Sequence, residues 1–272
     1  MKGWAVILGG SRGIGLACAR ALAQQGFKLC VVYRASRAEQ RDVHSELNEL
    51  RASAPELLAV NTNAVTEAGM LEVIGALHTH PTGEPHVAVL VHSIAQGHLK
   101  PLAPLPQSPK SALGEPSANS TLLLRSEDIA LTIDAMGSSL QRWVRALFEQ
   151  QLLATDARVI AITSEGVQRV WPGYAAVSAA KATLEALVRA LAVEFGPHGV
   201  RANLVQAGIT ETHSLKRIPG HRLLVETARA RNPMGRLTRP EDVASAVGLL
   251  CRPEAGWING ARLIVDGGEH LC

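Results

Sequence analysis

The chain has 272 residues, of which 47% are hydrophobic and 19% are charged, and its formal net charge is +3. This composition supports a large hydrophobic core and excludes general disorder. The small net charge and an aromatic content of 3% argue against a nucleic-acid partner. We find no apolar run long enough to cross a bilayer and no signal-peptide pattern, so we expect a soluble cytoplasmic protein without a membrane partner.

The sequence predicts neither a disulfide nor a metal site. Its four cysteines form no CxxC motif and no Cys/His cluster, which is typical of reduced thiols in the cytoplasm. His78, His80 and His86 lack further ligands at a spacing that metal sites use.

Apolar runs rich in β-branched residues alternate with longer segments of helical spacing. The predicted strands span 4–8, 29–33, 57–61, 87–91, 158–163, 201–205 and 262–265. The predicted helices span about 14–25, 38–51, 66–78, 127–153, 175–195 and 240–251. Nearly continuous apolar strands and the βαβ alternation predict a single α/β domain over residues 1–272, with a doubly wound parallel sheet of seven strands.

Two segments interrupt this alternation. Residues 99–120 are rich in proline and serine and follow the fourth predicted strand, and residues 206–235 follow the sixth. Parallel sheets of this kind bind ligands at the carboxyl ends of their strands. A substrate lid therefore explains each segment at least as well as a surface insertion does.

The sequence VILGGSRGIGLACARAL leads from the first predicted strand into a helix. Glycines in such a turn permit close approach of the backbone to a pyrophosphate, and the helix N-terminus supplies free N–H groups and a positive dipole end. An ordinary glycine-rich turn is the alternative. The predicted dinucleotide contacts here are Gly9, Ser11, Arg12, Gly13, Ile14 and Gly15.

The tip of the second predicted strand carries basic residues. Folds that bind NAD place an acidic side chain there to hold the ribose hydroxyls. Here the sequence reads CVVYRASRAEQ, with Arg34 and Arg37 beside the tip, and Arg12 lies in the glycine turn. Three guanidinium groups can bind a 2′-phosphate, so we predict NADPH in preference to NADH, with a solvated basic loop as the alternative.

The glycine turn, the segment RPEDVASAVGLL and the ending INGARLIVDGG resemble the short-chain dehydrogenase/reductase family over nearly the full chain. The resemblance implies Rossmann-like subunits in a homotetramer or dimer. The segments LVHSIA and AGITETHSLKRIP, and a Tyr-x6-Lys spacing, are similar to NADPH-dependent enoyl-acyl carrier protein reductases. That likeness implies an acyl thioester substrate, carried by acyl carrier protein or coenzyme A, in fatty acid or polyketide-type metabolism.

The resemblance also implies further site residues. His92 and Ser93 are expected on the nicotinamide side of the crevice, although His92 alone would more often be a structural histidine, and Asn63 is expected near the adenine. Thr212 is expected either to bind the cofactor or to cap a helix. The additional predicted cofactor contacts are Asn63, Ala64, Ser93, Ile94, Ala95, Lys181, Gly208, Thr210 and Thr212.

Three positions depart from or divide the family patterns. Leu8 replaces the usual Thr before the first glycine, and Asp134 stands where ordinary members have an active-site Asn. Ser164 matches the Ser of ordinary members, whereas some enoyl reductases have Tyr there.

The sequence YAAVSAAK places Tyr174 seven positions before Lys181, although the commoner family spacing would put the tyrosine at Val177. Ketone reduction needs the acid beside the hydride acceptor. In an enoyl thioester, hydride goes to C3 while charge develops on the oxygen at C1. Three residues of helix shift a side chain by about 4.5 Å along the axis and turn it by only about 60°, which suits that more distant oxygen.

We therefore predict an NADPH-dependent enoyl-thioester reductase with three catalytic residues. Tyr174 stabilises the enolate-like oxygen. Lys181 holds the nicotinamide ribose and lowers the pKa of Tyr174. Ser164 either contacts the substrate or ends its strand. The alternatives are a 3-oxoacyl or carbonyl reductase that uses Tyr174 and Ser164, and a non-catalytic NADPH-binding protein.

Overall fold

The computed structural model describes residues 2–81, 86–104 and 123–272. These residues contain seven strands, which are β1 Trp4–Leu8, β2 Lys28–Tyr33, β3 Leu57–Asn61, β4 Val87–His92, β5 Leu153–Ser164, β6 Arg201–Ala207 and β7 Arg262–Val265. They form one parallel sheet in the order β3-β2-β1-β4-β5-β6-β7. The predicted single-domain, Rossmann-like sheet is confirmed.

The helices of the described residues are α1 Gly13–Gln24, α2 Gln40–Ser53, α3 Glu67–His78, α4 Ser126–Ile133, α5 Ser139–Glu149, α6 Ala175–Glu194, α7 His213–Lys216, α8 His221–Arg231 and α9 Pro240–Leu250. A π-helical turn over Asp134–Ser138 joins α4 to α5. Among the described residues, no helix combines the length and the apolar character that a bilayer span requires.

Two hydrophobic layers cover the sheet because successive strand residues point to opposite faces. In β1, Trp4, Val6 and Leu8 pack into the layer of α3, α5 and α6. Ala5 and Ile7 pack into the layer of α1, α2 and α9 on the other face. All five residues are buried, which explains why the strand has no polar position in its sequence.

The structure differs from the predicted elements in two places. The predicted helix over 127–153 is α4, the π-helical turn and α5, and it ends at Glu149. The fifth strand starts at Leu153, earlier than predicted.

The predicted excursion after β6 contains α7 and α8. Most of the predicted 99–120 insertion, residues 105–120, lies outside the described residues.

The sheet order places β1 beside β4, and the chain proceeds in opposite directions from these two strands. Such a switch point leaves a crevice at the carboxyl ends of the strands, where this class of fold binds ligands. The glycine turn after β1 and the segment Ser93, Ile94 and Ala95 after β4 meet at this crevice.

Candidate functional site

A cleft of about 660 Å³ opens at the carboxyl edge of the sheet. Of the predicted site residues, those that line it are Gly9, Ser11, Arg12, Gly13, Ile14, Ser93, Ile94, Ala95, Ser164, Tyr174, Lys181, Gly208, Thr210 and Thr212. Those that do not line it are Gly15, Arg34, Arg37, Asn63 and Ala64. The glycine turn therefore lines the same cavity as Tyr174 and Lys181.

The glycine turn is shaped by close backbone contacts. Gly9 has a φ of +82°, and a Cβ there would lie 2.6 Å from the carbonyl oxygen of Ser93. A Cβ on Gly15 would lie 2.1 Å from the carbonyl oxygen of Gly9, so Gly15 lets α1 start against the turn. Glycines at these close-contact positions beside the N-terminus of α1 fit the pyrophosphate of a nicotinamide dinucleotide.

The loop after β6 lies across this turn. Thr212 Oγ1 accepts a hydrogen bond from the Leu215 N–H at 3.3 Å, so Thr212 is the N-cap of α7. A Cβ on Gly13 would lie 3.2 Å from Thr212 Cγ2. Thr210 Oγ1 donates to the Gly208 carbonyl at 2.9 Å, which stiffens the loop. Thr212 therefore caps a helix and also borders the predicted phosphate site.

The basic tip of β2 contains a carboxylate that the sequence analysis missed. Arg34 and Arg37 are exposed, whereas Arg12 in the cleft pairs with Glu39 at 2.9 Å. Glu39 also accepts hydrogen bonds from the Ser36 N–H and hydroxyl, and these bonds together with Arg12 lower the pKa of Glu39 to about 2. The three-residue spacing between Ser36 and Glu39 is the feature of the sequence that could have indicated this carboxylate.

The loop after β3 is held by hydrogen bonds within the protein. Asn63 Oδ1 accepts from the Val65 N–H at 3.2 Å, and the Ala64 carbonyl accepts from Trp143 Nε1 at 2.7 Å. Asn63 and Ala64 follow β3 at the carboxyl edge of the sheet, but their described bonds shape the loop.

Tyr174 stands at the N-cap position of α6, in the wall of the cleft. Its ring packs against Gly166, where an added Cβ would lie 2.5 Å from Tyr174 Cε1 and 3.3 Å from Ser164 Oγ. Ser164 Oγ is buried and has no hydrogen-bond partner of standard geometry among the described residues. Its hydroxyl therefore lies beside Tyr174 and is enclosed by protein atoms.

Burial raises the pKa of Tyr174, and the neighbouring Ser164 hydroxyl only opposes that rise. The expectation that Lys181 lowers the pKa of Tyr174 is thus wrong, because burial raises that pKa and the opposing contribution comes from Ser164. Tyr174 remains a neutral O–H donor at physiological pH.

Lys181 lies on α6, seven residues after Tyr174, and is 6% exposed. Its Nζ donates to the Ile162 carbonyl at 2.7 Å, which anchors it over β5. Burial lowers the pKa of Lys181 to about 8, while Glu185 one helical turn later opposes the shift. A lysine at this depth titrates near the physiological range.

Val177 fills the position that the commoner tyrosine would occupy, and it is 3% exposed. A Cβ on Gly97 would lie 2.9 Å from Val177 Cγ2, 2.7 Å from Thr132 Cγ2 and 3.1 Å from Met136 Sδ. The commoner position is therefore packed with apolar atoms and offers no donor.

His92 does not line the cleft, contrary to expectation. Its ring is fully buried, and Nε2 lies 2.8 Å from Ser139 Oγ, which donates its proton to the Ala135 carbonyl at 2.7 Å. Nε2 must then carry the hydrogen. Burial and the charge of Lys181 lower the pKa of His92 to about 3, so the ring is neutral.

Asp134 is also turned away from the cleft. Its carboxylate pairs with Arg142, which in turn donates to the Val65 carbonyl at 3.0 Å. The π-helical turn that begins at Asp134 places this side chain on the side of the β3 loop.

The segment after β6 supplies much of the remaining cleft wall. Ile218, Leu224, Ala228 and Arg231 line it. Trp171 Nε1 donates to the Pro219 carbonyl at 3.1 Å, which ties this wall to the loop before α6. Among the described residues, no cluster of three or more His, Cys, Asp or Glu side chains could hold a metal ion.

The family model described as Enoyl-(Acyl carrier protein) reductase matches residues 9–270. The chain is 29% identical, over 97% of its length and 93% of the relative, to an NADPH-dependent aldehyde reductase-like protein, chloroplastic, of Arabidopsis thaliana. It is similar in fold to an enoyl-[acyl-carrier-protein] reductase (NADH) of Aquifex aeolicus VF5, with a TM-score of 0.78, 23% identity and coverage of 99% and 97% of the two chains.

A second solved structure is a 3-ketoacyl-(acyl-carrier-protein) reductase from Brucella melitensis complexed with NADH, with a TM-score of 0.76, 25% identity and coverage of 98% of each chain. The names of these relatives include reduction of C=C and of C=O bonds, and they refer to both NADPH and NADH. The match over residues 9–270, together with the sheet order and the glycine turn, shows that the chain belongs to the short-chain dehydrogenase/reductase family of nicotinamide-dependent oxidoreductases, in the group described by the enoyl-(acyl carrier protein) reductase model.

Proposed function

We propose that the protein is an NADPH-dependent enoyl-thioester reductase of fatty acid or polyketide-type metabolism. Its substrate is an acyl thioester on acyl carrier protein or coenzyme A, and the enzyme acts as a cytoplasmic homotetramer or dimer. One observation carries the proposal. The tyrosine hydroxyl of the cleft comes from Tyr174 at the start of α6, while the position three residues later is the buried Val177.

The position of Tyr174 suits an oxygen that is remote from the hydride acceptor. Relative to position 177, position 174 is displaced by about 4.5 Å along the helix axis. In an enoyl thioester the negative charge develops on the carbonyl oxygen at C1, two carbons from the atom that receives hydride. A displaced donor can stabilise that oxygen without blocking the hydride path.

The roles of the chain's residues follow from this arrangement. Bound NADPH would supply the hydride for C3, and a proton from solvent would then reach C2 to complete the saturated product. The neutral hydroxyl of Tyr174 donates to the thioester oxygen, and its raised pKa keeps the proton in place until charge develops. The ammonium group of Lys181 holds the ribose hydroxyls. Ser164, which lines the cleft beside Tyr174, donates a second bond to the substrate oxygen.

The NADPH preference rests on the arginines around the adenosine end of the crevice. Arg12 lies in the cleft, and Arg34 and Arg37 are exposed after β2. The ion pair between Arg12 and Glu39 already holds one guanidinium at this place. A 2′-phosphate would replace the Glu39 carboxylate at Arg12, because the two anions repel each other and arginine presents several donors in a fixed fork that suits a phosphate.

Residues 206–235 act as the substrate lid in this proposal. Ile218, Leu224 and Ala228 present apolar atoms to the cleft opposite Tyr174. Leu99, at the start of the 99–120 segment, lines the same cleft. An apolar wall of this kind suits an acyl chain.

The experiment that tests the proposal compares crotonyl and acetoacetyl thioesters, each on coenzyme A and on acyl carrier protein. NADPH oxidation gives the rate, and mass spectrometry of the acyl product identifies the bond reduced. We expect the butanoyl product from the crotonyl thioester. Formation of the 3-hydroxybutanoyl product alone would instead assign a carbonyl reductase, and absence of turnover with all four substrates would favour a non-catalytic NADPH-binding protein.

The carbonyl reductase is the second candidate because of one specific observation. Ser164 lies beside Tyr174 in the wall of the cleft, and the two hydroxyls could both bind a ketone oxygen. Similarity to the Brucella melitensis 3-ketoacyl reductase supports the same reading.

A further inference from the structure

Arg231, the last residue of α8, joins three separate parts of the chain. Its Nη2 donates to Glu165 Oε2 at 2.8 Å and to Glu269 Oε1 at 2.5 Å. Glu165 directly follows Ser164, and Glu269 begins the turn Glu269–Leu271. The Arg231 side chain is 11% exposed and the Glu269 side chain is fully buried. We call these three residues the charge cluster.

The charge cluster also reaches the loop on the cofactor side of the cleft. Glu269 Oε2 accepts a hydrogen bond from the Ile209 N–H at 3.2 Å. A Cβ on Gly208 would lie 2.9 Å from that same oxygen. The second oxygen of Glu165 pairs with Arg169 at 2.8 Å. Both carboxylates thus have defined partners on each oxygen, and Arg231 is the cation that they share.

This arrangement is better suited to fixing positions than to adding stability. Replacing a complete buried ion cluster by apolar residues is often neutral for stability, whereas removing one partner leaves uncompensated charge. Here the shared cation lies on α8, while its two partners lie beside Ser164 and behind the Gly208 loop. The cluster therefore sets the distance from α8 to both.

We propose that Arg231 is a positioning residue that holds α8, and with it the apolar wall of the cleft, against the end of β5 and the loop after β6. The inference uses the cleft as the substrate site, as in the proposed function. It does not depend on which bond is reduced. When Arg231 is lost, α8 separates from Glu165 and Glu269, and the wall formed by Leu224 and Ala228 no longer meets the acyl chain.

The test compares Arg231→Gln and Arg231→Lys with the control Arg229→Gln. Arg229 is exposed on the same helix and has no ion pair among the described residues. The measurements are KM and kcat with whichever thioester the wild type reduces, the NADPH dissociation constant by fluorescence, and trypsin cleavage after the exposed Lys216, Arg217 and Arg222 mapped by mass spectrometry.

For Arg231→Gln we expect KM to rise about tenfold, since the charge-assisted hydrogen bonds to both carboxylates are lost. NADPH binding should change by less than about threefold and kcat by less still, because the glycine turn is untouched. Cleavage within 213–231 should accelerate in the folded protein. Arg231→Lys should restore most of the KM, because one ammonium can also donate to two carboxylates, and Arg229→Gln should match the wild type.

If Arg231→Gln does not fold, Glu165→Gln gives the milder version of the test, since it keeps Arg231 paired with Glu269. In Glu165→Gln we expect KM to rise about threefold, again with faster cleavage within 213–231. An unchanged KM with unchanged cleavage, or losses of kcat, KM and NADPH binding that all follow the melting temperature, would overturn the proposal. The cleavage measurement needs no substrate, so it remains informative if the proposed reaction is wrong.

Discussion

The substitution Tyr174→Phe removes one oxygen atom from the cleft and leaves the ring in place. The ring contact with Gly166 is retained, and the neighbouring group that the change affects is the Ser164 hydroxyl. The free energy of unfolding should therefore change by no more than about 1 kcal/mol, the net contribution of one hydrogen bond. Catalysis should suffer far more, because loss of one donor to a developing oxyanion costs about 3–4 kcal/mol, or roughly 10²–10³ in kcat.

The assay is kcat for crotonyl thioester at saturating NADPH, with NADPH affinity measured separately by fluorescence. The chain offers a matched control in its other tyrosine, Tyr33, which is 7% exposed at the end of β2. Tyr33→Phe deletes the same atom and should leave kcat within about twofold. Near-wild-type kcat in Tyr174→Phe, or equal losses in both variants, would refute the role assigned to the Tyr174 hydroxyl.

Three further predictions concern the cofactor. Because burial lowers the pKa of Lys181 to about 8, its ammonium is lost as pH rises. The NADPH dissociation constant should then increase about tenfold by about pH 9, and a flat titration would contradict this. Gly9→Ala should weaken NADPH binding by more than about tenfold, whereas Gly26→Ala, with the same φ of +82° but open space around it, should not; equal effects would show that strain alone is responsible. Arg12→Ala should raise the KM for NADPH about tenfold and leave that for NADH nearly unchanged, and parallel increases for both cofactors would refute the phosphate contact.

Features that depend on local spacing could be predicted from the sequence. The first strand, its glycine turn and α1 follow one another within about twenty residues, and each has a distinct pattern. The end of α5 could not be predicted in the same way. The chain leaves the helix through Gln151 with a φ of +55°, where no glycine marks the turn. The apolar residues beyond it therefore looked like a continuing helix.

The parts of the site that were missed depend on contacts between distant residues. Arg231 meets Glu165 and Glu269, which are 66 and 38 positions away. No spacing rule links such positions. The pKa of Tyr174 was predicted in the wrong direction for a related reason, since the sequence shows the nearby lysine but not the depth of the hydroxyl.

The contact between Val177 and Gly97 makes a tyrosine at the commoner position costly in this chain. Val177, Thr132 and Met136 all meet the same glycine, so a larger side chain kept in that packed space would cost about 1–3 kcal/mol. A second tyrosine gained at position 177 while Tyr174 is retained would therefore lower stability unless the neighbouring residues changed as well. The spacing is thus supported by the packing of the core as well as by the position of the Tyr174 hydroxyl.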